Sequence, residues 1–143
     1  MATTRSADAT WSGDLKTGSG TTTLATSGLG SFDVTWKART EEAEGKTSPE
    51  ELIAAAHAAC FSMAFSNIVA SAGHAAPESV ETTAEVDFQP PEGITEIRLT
   101  MTARIAGLDP DEFQKLAEQA KEGCPVSKAL GAVPSITLDA TLT

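Results

Sequence analysis

The sequence predicts one α+β domain over residues 1–143, with antiparallel sheets and a long central buried helix in the order βββ-α-ββ-α-β. Three observations support this fold class. Short extended segments separated by glycine-rich turns fill the first third, an alanine-rich helix follows, and an alternating hairpin then precedes an amphipathic helix and a last strand. Strands that come in runs favour α+β over a parallel βαβ fold.

The three early strands have turn residues between them. They are "ATWSGDL" from Ala9, "GTTTLATS" from Gly20 and "SFDVTWKA" from Ser31. The short spacing predicts a three-stranded meander.

A helix is predicted to start at Ser48. Ser48 serves as N-cap, Pro49 suits the first helical position, and Glu51 completes a capping box. Nothing breaks the helix until about Ser71, after which Gly73 offers a C-terminal stop. Because this helix is apolar on most sides, we expect it to be central and buried.

The second half of the chain alternates strands and helices. Val80 to Phe88 and Ile94 to Ile105 alternate apolar and polar residues and predict a hairpin around "QPPEG". Asp109 as N-cap and Gly123 as stop predict an amphipathic helix. "CPVSKALGA" predicts a short helical turn, and the alternation from Ile136 to Leu142 predicts the last strand.

Composition and charge bound the function classes. With 143 residues, of which 41% are hydrophobic and 21% charged, the chain can build a core without disulfides. Its net charge of -10 repels phosphate backbones and anionic lipids, so neither nucleic acid nor membrane is an expected partner. Since "MATTRSADATWSGDL" has no apolar run of signal-peptide length, we predict a cytoplasmic protein.

The cysteines, Cys60 and Cys124, are the main candidates for chemistry. In a reducing cytosol they are either inert core thiols or a redox pair. Cys124 precedes Pro125 at a helix start, where free amides favour a thiolate, although "GCPVS" alternatively holds a small hydrophobe at a helix junction. Cys60 lies in mid-helix, where burial raises its pKa, so a reactive Cys60 requires a positive charge from elsewhere.

The histidines offer weaker candidates. His57, one turn before Cys60, is either that positive charge or general base, or a core histidine that donates one hydrogen bond. No metal site is predicted from His57, Cys60, Cys124 and His74, because they lack the usual local chelate spacing.

Three segments together resemble the OsmC/Ohr family, which comprises osmotically inducible protein C and the organic hydroperoxide resistance proteins. These segments are "SPEELIAAAHAACFSMAF" around Cys60, "GCPVS" around Cys124, and the early "WSGDLKTGSGTTT", which fits the OsmC branch. The resemblance covers essentially the whole chain in order and spacing. It implies a cysteine-based peroxidase.

The resemblance also implies the site residues. Cys60 would be the peroxidatic cysteine, Cys124 the resolving cysteine, Arg39 the arginine that steadies the thiolate, and Glu50 the carboxylate that orients it. The Ohr branch takes its arginine from an earlier loop, where this chain has only Arg5. Without the resemblance, Arg39 is a solvated strand end and Glu50 an acid that complements the helix dipole.

Electrostatics permits a thiolate at Cys60 by a narrow margin. Lowering a thiol pKa of about 8.5 by roughly 2 units requires about 3 kcal/mol before any desolvation penalty. One guanidinium about 4 Å away at an effective dielectric of 20 contributes roughly 4 kcal/mol. Hydrogen bonds to the sulfur or partial hydration must therefore help.

Glu50 and Cys60 are separated by ten helical residues, a rise of about 15 Å. Glu50 is therefore unsuited to Cys60 of its own chain. Two antiparallel copies of the helix, crossing at the small residues Ala54, Ala55 and Ala56, would bring Glu50 of one chain beside Cys60 of the other. We therefore predict an intertwined homodimer.

The predicted function is a thiol-dependent peroxidase that reduces organic hydroperoxides, and hydrogen peroxide more weakly, through a sulfenic acid and an intramolecular disulfide. An external dithiol would reopen the disulfide, the resemblance implies one of lipoyl type, and no cofactor is required. Phe61, Phe65, Met63 and Phe32 are candidates for an apolar substrate wall, with core packing as the alternative. The alternative function is a non-catalytic stress-related dimer that binds a hydrophobic ligand.

Overall fold

The computed structural model describes residues 1–143 as two compact units, Met1–Leu52 and Ile53–Thr143. Two three-stranded sheets and a long helix confirm the predicted α+β class. The assignment of the whole chain to a single domain stays a prediction.

The first unit contains the predicted meander. Strands β1 (Asp8–Ser12), β2 (Ser19–Thr23) and β3 (Ser31–Val34) pair antiparallel in the order β1-β2-β3. Threonine side chains meet across the strands, and the hydroxyls of Thr10 and Thr21 lie 3.1 Å apart. Polar cross-strand pairs of this kind stabilise a sheet that has little apolar surface of its own.

The third strand is shorter than predicted, because the segment "TWKART" forms a helix. Thr35 is extended, and its hydroxyl accepts a hydrogen bond from the Ala38 amide at 3.1 Å, which caps helix α1 (Trp36–Thr40). The interpretation of Arg39 as a strand end was therefore wrong. On a helix, Trp36 and Arg39 are three residues apart and share a face.

Helix α2 (Pro49–Ser71) has the predicted bounds. The Ser48 hydroxyl accepts from the Glu51 amide at 3.1 Å, as an N-cap should. The Glu51 carboxylate accepts a hydrogen bond from the Thr47 hydroxyl at 2.6 Å. At the other end Gly73 has φ of +84°, which favours glycine and ends the helix.

Within this chain α2 is buried along one face and not on all sides. The residues with no exposed surface recur every fourth position, and they are His57, Phe61, Phe65 and Val69. The opposite face is exposed and carries Ala55, Ala56, Ala59 and Met63. By length and hydropathy alone α2 could cross a bilayer, but core helices of globular proteins meet the same criterion.

The second unit contains a mixed sheet. β4 (Ser79–Gln89) and β5 (Gly93–Arg104) form the predicted antiparallel hairpin, whereas β6 (Ser135–Leu142) pairs with β5 in parallel. Parallel neighbours need a long crossover, and helices α3 (Pro110–Gly123) and α4 (Pro125–Ala129) provide it. The prediction of antiparallel sheets is therefore wrong for β6, because alternation indicates a strand but carries no information on its direction.

The core of the second unit lies between α2, α3 and one face of β5. Alternate β5 residues are almost fully buried, as their pattern predicted, and they are Ile97, Leu99, Met101 and Ala103. The Phe65 and Phe113 rings meet edge to face, with centroids 5.6 Å apart. Cys124 is part of this core.

Candidate active site

The two cysteines come together in the second unit. Cys60 lies in the middle of α2 and is partly exposed, and Cys124 lies between α3 and α4 and is fully buried. Both are free thiols, and their sulfur atoms are in hydrogen-bonding contact. Two thiols that lie far apart in the sequence thus meet in the fold, as a redox pair requires.

Cys124 is the N-cap residue of α4, with φ of -61° and ψ of 121°. Burial opposes its ionisation, but the Ser127 amide and hydroxyl, the Cys60 thiol and the Val126 amide lie around its sulfur and favour the charged form. Together they lower the pKa of Cys124 below the usual thiol range. The amides at the helix start favour a thiolate here, as the sequence predicted.

Cys60 has the opposite tendency. Burial raises its pKa, the Val126 amide donates one hydrogen bond that lowers it, and the adjacent Cys124 raises it further. The two sulfurs share the Val126 amide and compete for one negative charge. Cys60 therefore needs a cation if it is to be the thiolate, as predicted from its place in mid-helix.

His57 is not that cation. It is fully buried, and burial lowers its pKa, so the imidazole is neutral at pH 7. Its Nε2 atom lies 2.6 Å from the Ser127 Oγ atom, whereas Nδ1 has no hydrogen-bond partner. This matches the alternative of a core histidine with one hydrogen bond. Ser127, the last residue of "GCPVS", was not among the predicted site residues; its position three residues after Cys124 places it in the first turn of α4.

Arg39 and Glu50 form an ion pair in the first unit. Arg39 Nε donates to both carboxylate oxygens of Glu50, at 3.0 and 3.1 Å, and Nη2 donates to Oε1 at 2.7 Å. Glu50 is 6% exposed, and the fork of donors compensates its buried charge. Arg39 Cζ also lies 6.0 Å from the centroid of the Trp36 ring. Glu50 is thus more than an acid at a helix start, because it fixes the direction of a guanidinium.

An apolar cleft of about 420 Å³ lies beside this ion pair in the first unit. Its wall includes Trp11, Leu15, Trp36 and Leu52, together with Arg39. Of these residues, only Arg39 was predicted from the sequence to belong to the site. Trp11 and Trp36 are the only tryptophans in a chain poor in aromatics, and that was the available signal.

The residues predicted to form a substrate wall divide into two groups. Phe61 and Phe65 have no exposed surface and pack in the core of the second unit, which is the alternative stated for them. Met63 is 70% exposed and Phe32 is 40% exposed. None of the four lines the cleft.

The remaining candidate residues lie elsewhere. Arg5 is exposed and donates to the carbonyl of Thr4 at 3.0 Å. His74 pairs with Glu112 at 2.9 Å. The predicted site residues therefore form two groups, the thiols Cys60 and Cys124 in one unit and the Arg39–Glu50 pair in the other.

Comparisons with known proteins identify related chains. The model of a family described as OsmC-like protein matches residues 38–139. The peroxiredoxin OsmC of Escherichia coli (strain K12) is 42% identical over 132 residues, covering 90% of each chain. The organic hydroperoxide resistance protein OhrB of Bacillus subtilis (strain 168) is 31% identical over 108 residues, covering 71% of this chain and 75% of that one. The crystal structure of an organic hydroperoxide resistance protein from Elizabethkingia anophelis superimposes with a TM-score of 0.67 at 27% identity, covering 100% of this chain and 99% of that one.

Proposed function

Since the chain belongs to the OsmC-like protein family and is a cysteine-based peroxidase, we propose that it reduces organic hydroperoxides, and hydrogen peroxide more weakly. The observation that carries this proposal is the contact between the Cys60 and Cys124 sulfurs. A sulfur pair can hold the two electrons that a peroxide takes up, so the reaction needs no further redox group.

In the first step the Cys60 thiolate attacks one peroxide oxygen. The sulfur–oxygen bond forms as the oxygen–oxygen bond breaks, and the leaving alkoxide takes a proton to become an alcohol. Cys60 is left as a sulfenic acid. Partial exposure of Cys60 gives the peroxide access, whereas Cys124 is fully buried.

In the second step Cys124 attacks the sulfenic sulfur and forms an intramolecular disulfide, with loss of water. An external dithiol then reopens the disulfide by exchange, and a lipoyl-type dithiol is our candidate. The cytoplasm, where such dithiols are kept reduced, is the compartment we propose.

Arg39 is the cation we assign to Cys60. The pKa of Cys60 is raised by its surroundings, so ionisation at pH 7 requires help from outside the sulfur pair. A guanidinium about 4 Å away would contribute roughly 4 kcal/mol at an effective dielectric of 20. Glu50 holds Arg39 through three hydrogen-bond contacts and so limits the directions in which the guanidinium can point.

We propose that Arg39 and Glu50 reach Cys60 from a second copy of the chain, in an intertwined homodimer. The exposed face of α2 supports this, because it is apolar and lined by the small residues Ala55, Ala56 and Ala59. Only 22% of the most apolar 18-residue stretch of α2 is buried within this chain. A partner helix packed there would remove that surface from water.

The apolar cleft beside Arg39 is the proposed site for the organic group of the substrate. Its tryptophan and leucine side chains suit an alkyl or aryl group, and Arg39 on its wall suits the developing negative charge. This arrangement favours organic hydroperoxides over hydrogen peroxide, which has no apolar group to bind.

The test is to count free thiols after one equivalent of cumene hydroperoxide is added to reduced wild type, Cys60→Ser and Cys124→Ser. We expect wild type to lose two thiols quickly and Cys60→Ser to lose its remaining thiol slowly. Cys124→Ser should accumulate a sulfenic acid. Equal, slow loss in all three proteins would contradict the proposal.

A further inference from the structure

A series of polar contacts leads from the buried His57 to the two sulfurs. His57 Nε2 lies 2.6 Å from Ser127 Oγ. Ser127 lies three residues after Cys124 in the first turn of α4, where its hydroxyl is beside the Cys124 sulfur, which contacts Cys60. All four residues belong to the second unit. The peroxidase reaction proposed above uses the two sulfurs but gives no role to His57 or Ser127.

This series of contacts has two possible directions. Ser127 has a single hydroxyl proton, which goes either to the Cys124 sulfur or to the imidazole of His57. If it goes to the sulfur, Ser127 Oγ accepts from His57, which places the imidazole proton on Nε2 and leaves Nδ1 as a bare acceptor.

The buried Nδ1 atom agrees with this direction, because it has no hydrogen-bond partner. If Ser127 instead donated to His57, Nδ1 would carry a proton and be a buried donor without an acceptor. Cys124 would also lose its hydroxyl donor. The direction that favours a Cys124 thiolate therefore leaves fewer groups unsatisfied.

We propose that Ser127 is a catalytic residue of the resolving step, where its hydroxyl holds the Cys124 sulfur as a thiolate facing Cys60, and that His57 is the positioning residue of Ser127. This inference rests on the proposed peroxidase function. It assigns the two residues to disulfide formation and not to the reaction with peroxide.

The step balances as follows. Cys124 gives up its proton, its sulfur attacks the sulfur of the Cys60 sulfenic acid, and the sulfur–sulfur bond forms. The sulfur–oxygen bond breaks, and the departing hydroxide combines with a proton equivalent to the one that Cys124 gave up, forming water. Ser127 keeps its own proton and stabilises the negative charge on Cys124 until the attack occurs.

The surroundings of the two sulfurs differ at Ser127, which makes the proposal testable. Both sulfurs have the Val126 amide beside them, but the Ser127 amide and hydroxyl act on Cys124 alone. Removing the Ser127 hydroxyl should therefore slow resolution and spare the first step. Ser62 offers a matched control, because its hydroxyl bonds Ala58 and Thr82 in the same unit and not a sulfur.

The first experiment follows a single turnover with one equivalent of cumene hydroperoxide, trapping the sulfenic acid with dimedone and counting free thiols over time. In Ser127→Ala we expect sulfenic acid to form at least as fast as in wild type, since the competing Cys124 thiolate is weakened. Disulfide should form at least about tenfold more slowly, the size expected for a hydrogen bond to a charged group. Ser62→Ala should match wild type in both steps.

The second experiment measures the thiolate absorbance of Cys124 near 240 nm against pH in a Cys60→Ser background. Adding Ser127→Ala should raise the Cys124 pKa by about one unit, a tenfold change in ionisation. His57→Leu should raise it less. His57→Gln should stay near the reference, because the glutamine amide can still donate to Ser127.

Three outcomes would overturn the inference. Ser127→Ala could resolve at the wild-type rate, both steps could slow equally, or His57→Gln and His57→Leu could leave the Cys124 pKa unchanged alike. In each case rapid oxidation of Cys60 would keep the peroxidase proposal intact. If Cys60 in wild type failed to form a sulfenic acid or disulfide, the peroxidase proposal itself would fail first.

Discussion

Cys60 and Cys124 are the same chemical group in contact with each other, yet their surroundings act in opposite directions. Cys124 lies at the start of α4, where the amide and hydroxyl of Ser127 donate to its sulfur and its pKa is lowered. Cys60 lies in the middle of α2, where backbone amides are already bonded within the helix, and its pKa is raised.

This difference indicates which part of the chain stabilises the negative charge on sulfur in each step of the proposed reaction. Within the second unit, Cys124, the proposed resolving cysteine, is favoured as a thiolate. In the proposed mechanism Cys60, the peroxidatic cysteine, depends on Arg39 and Glu50, which belong to the other unit. The chain would thus activate one thiol locally and obtain the charge for the other from outside that unit.

The largest effect should come from removing the imported charge. We expect Arg39→Ala to slow peroxide reduction about a hundredfold or more, because roughly 3 kcal/mol of thiolate stabilisation would be lost. Arg39→Lys should retain part of the rate, since lysine keeps the positive charge but lacks the paired N–H donors of the guanidinium. Stopped-flow measurement of the first step would show this, and a wild-type rate in Arg39→Ala would refute the role of Arg39.

A second prediction concerns how that charge reaches Cys60. Ala56→Glu would place a carboxylate on the exposed apolar face of α2, so we expect a monomer with most of its peroxidase activity lost. Ala75→Glu makes the same change at an exposed loop residue and should remain a dimer. Analytical ultracentrifugation with a parallel activity assay would decide, and a fully active monomer would exclude the cross-chain site.

A smaller loss is expected from Glu50→Gln, of about tenfold in the first step. Arg39 keeps its charge but loses its ionic partner, so its direction is less well fixed. Unfolding in urea should also show a stability loss of about 1 to 3 kcal/mol, since Glu50 is buried and Arg39 is mostly covered. Glu51→Gln, at the neighbouring exposed position, is the matched control.

The smallest predicted effect is on stability against pH. The pKa of buried His57 is lowered from its ordinary value of 6.5, so below that pH the unfolded chain binds a proton that the folded chain does not. Stability should therefore fall as pH falls through the range in which the unfolded histidine takes up its proton.

In His57→Gln this part of the pH dependence should be absent, as urea midpoints over the same range would show. Asp14 and Asp87 also have lowered pKa values, but they titrate at more acidic pH and so do not contribute to the change in stability over this pH range. An unchanged slope in His57→Gln would mean that the imidazole is protonated in the folded state.

The sequence was sufficient to predict the helices and strands that are marked by local signals, such as helix caps and the alternation of apolar and polar residues. Caps at Ser48 and Asp109 gave the bounds of α2 and α3, and alternation gave β5 with its buried face. Helix α1 escaped prediction because five residues after a strand carry too weak a periodicity. The parallel pairing of β6 escaped it because alternation is the same in either direction.

The candidate site divides in the same way. The pairing of Arg39 with Glu50 and the contact of the two cysteines join residues that the fold brings together, and the family resemblance suggested them where spacing could not. Ser127 and the tryptophans of the cleft had no local signal of function. Their roles come from what they touch, the Cys124 sulfur in one case and the cleft in the other.

The separation of the two thiols along the chain has a thermal consequence. In the proposed cycle, oxidation links position 60 to position 124. In the chain-entropy model, closing a loop of that length raises the free energy of the unfolded chain by about 4 kcal/mol. The oxidised protein should therefore melt at a higher temperature than the reduced one. The melting profile of a sample would then report what fraction of its molecules has met a peroxide and not yet been recycled.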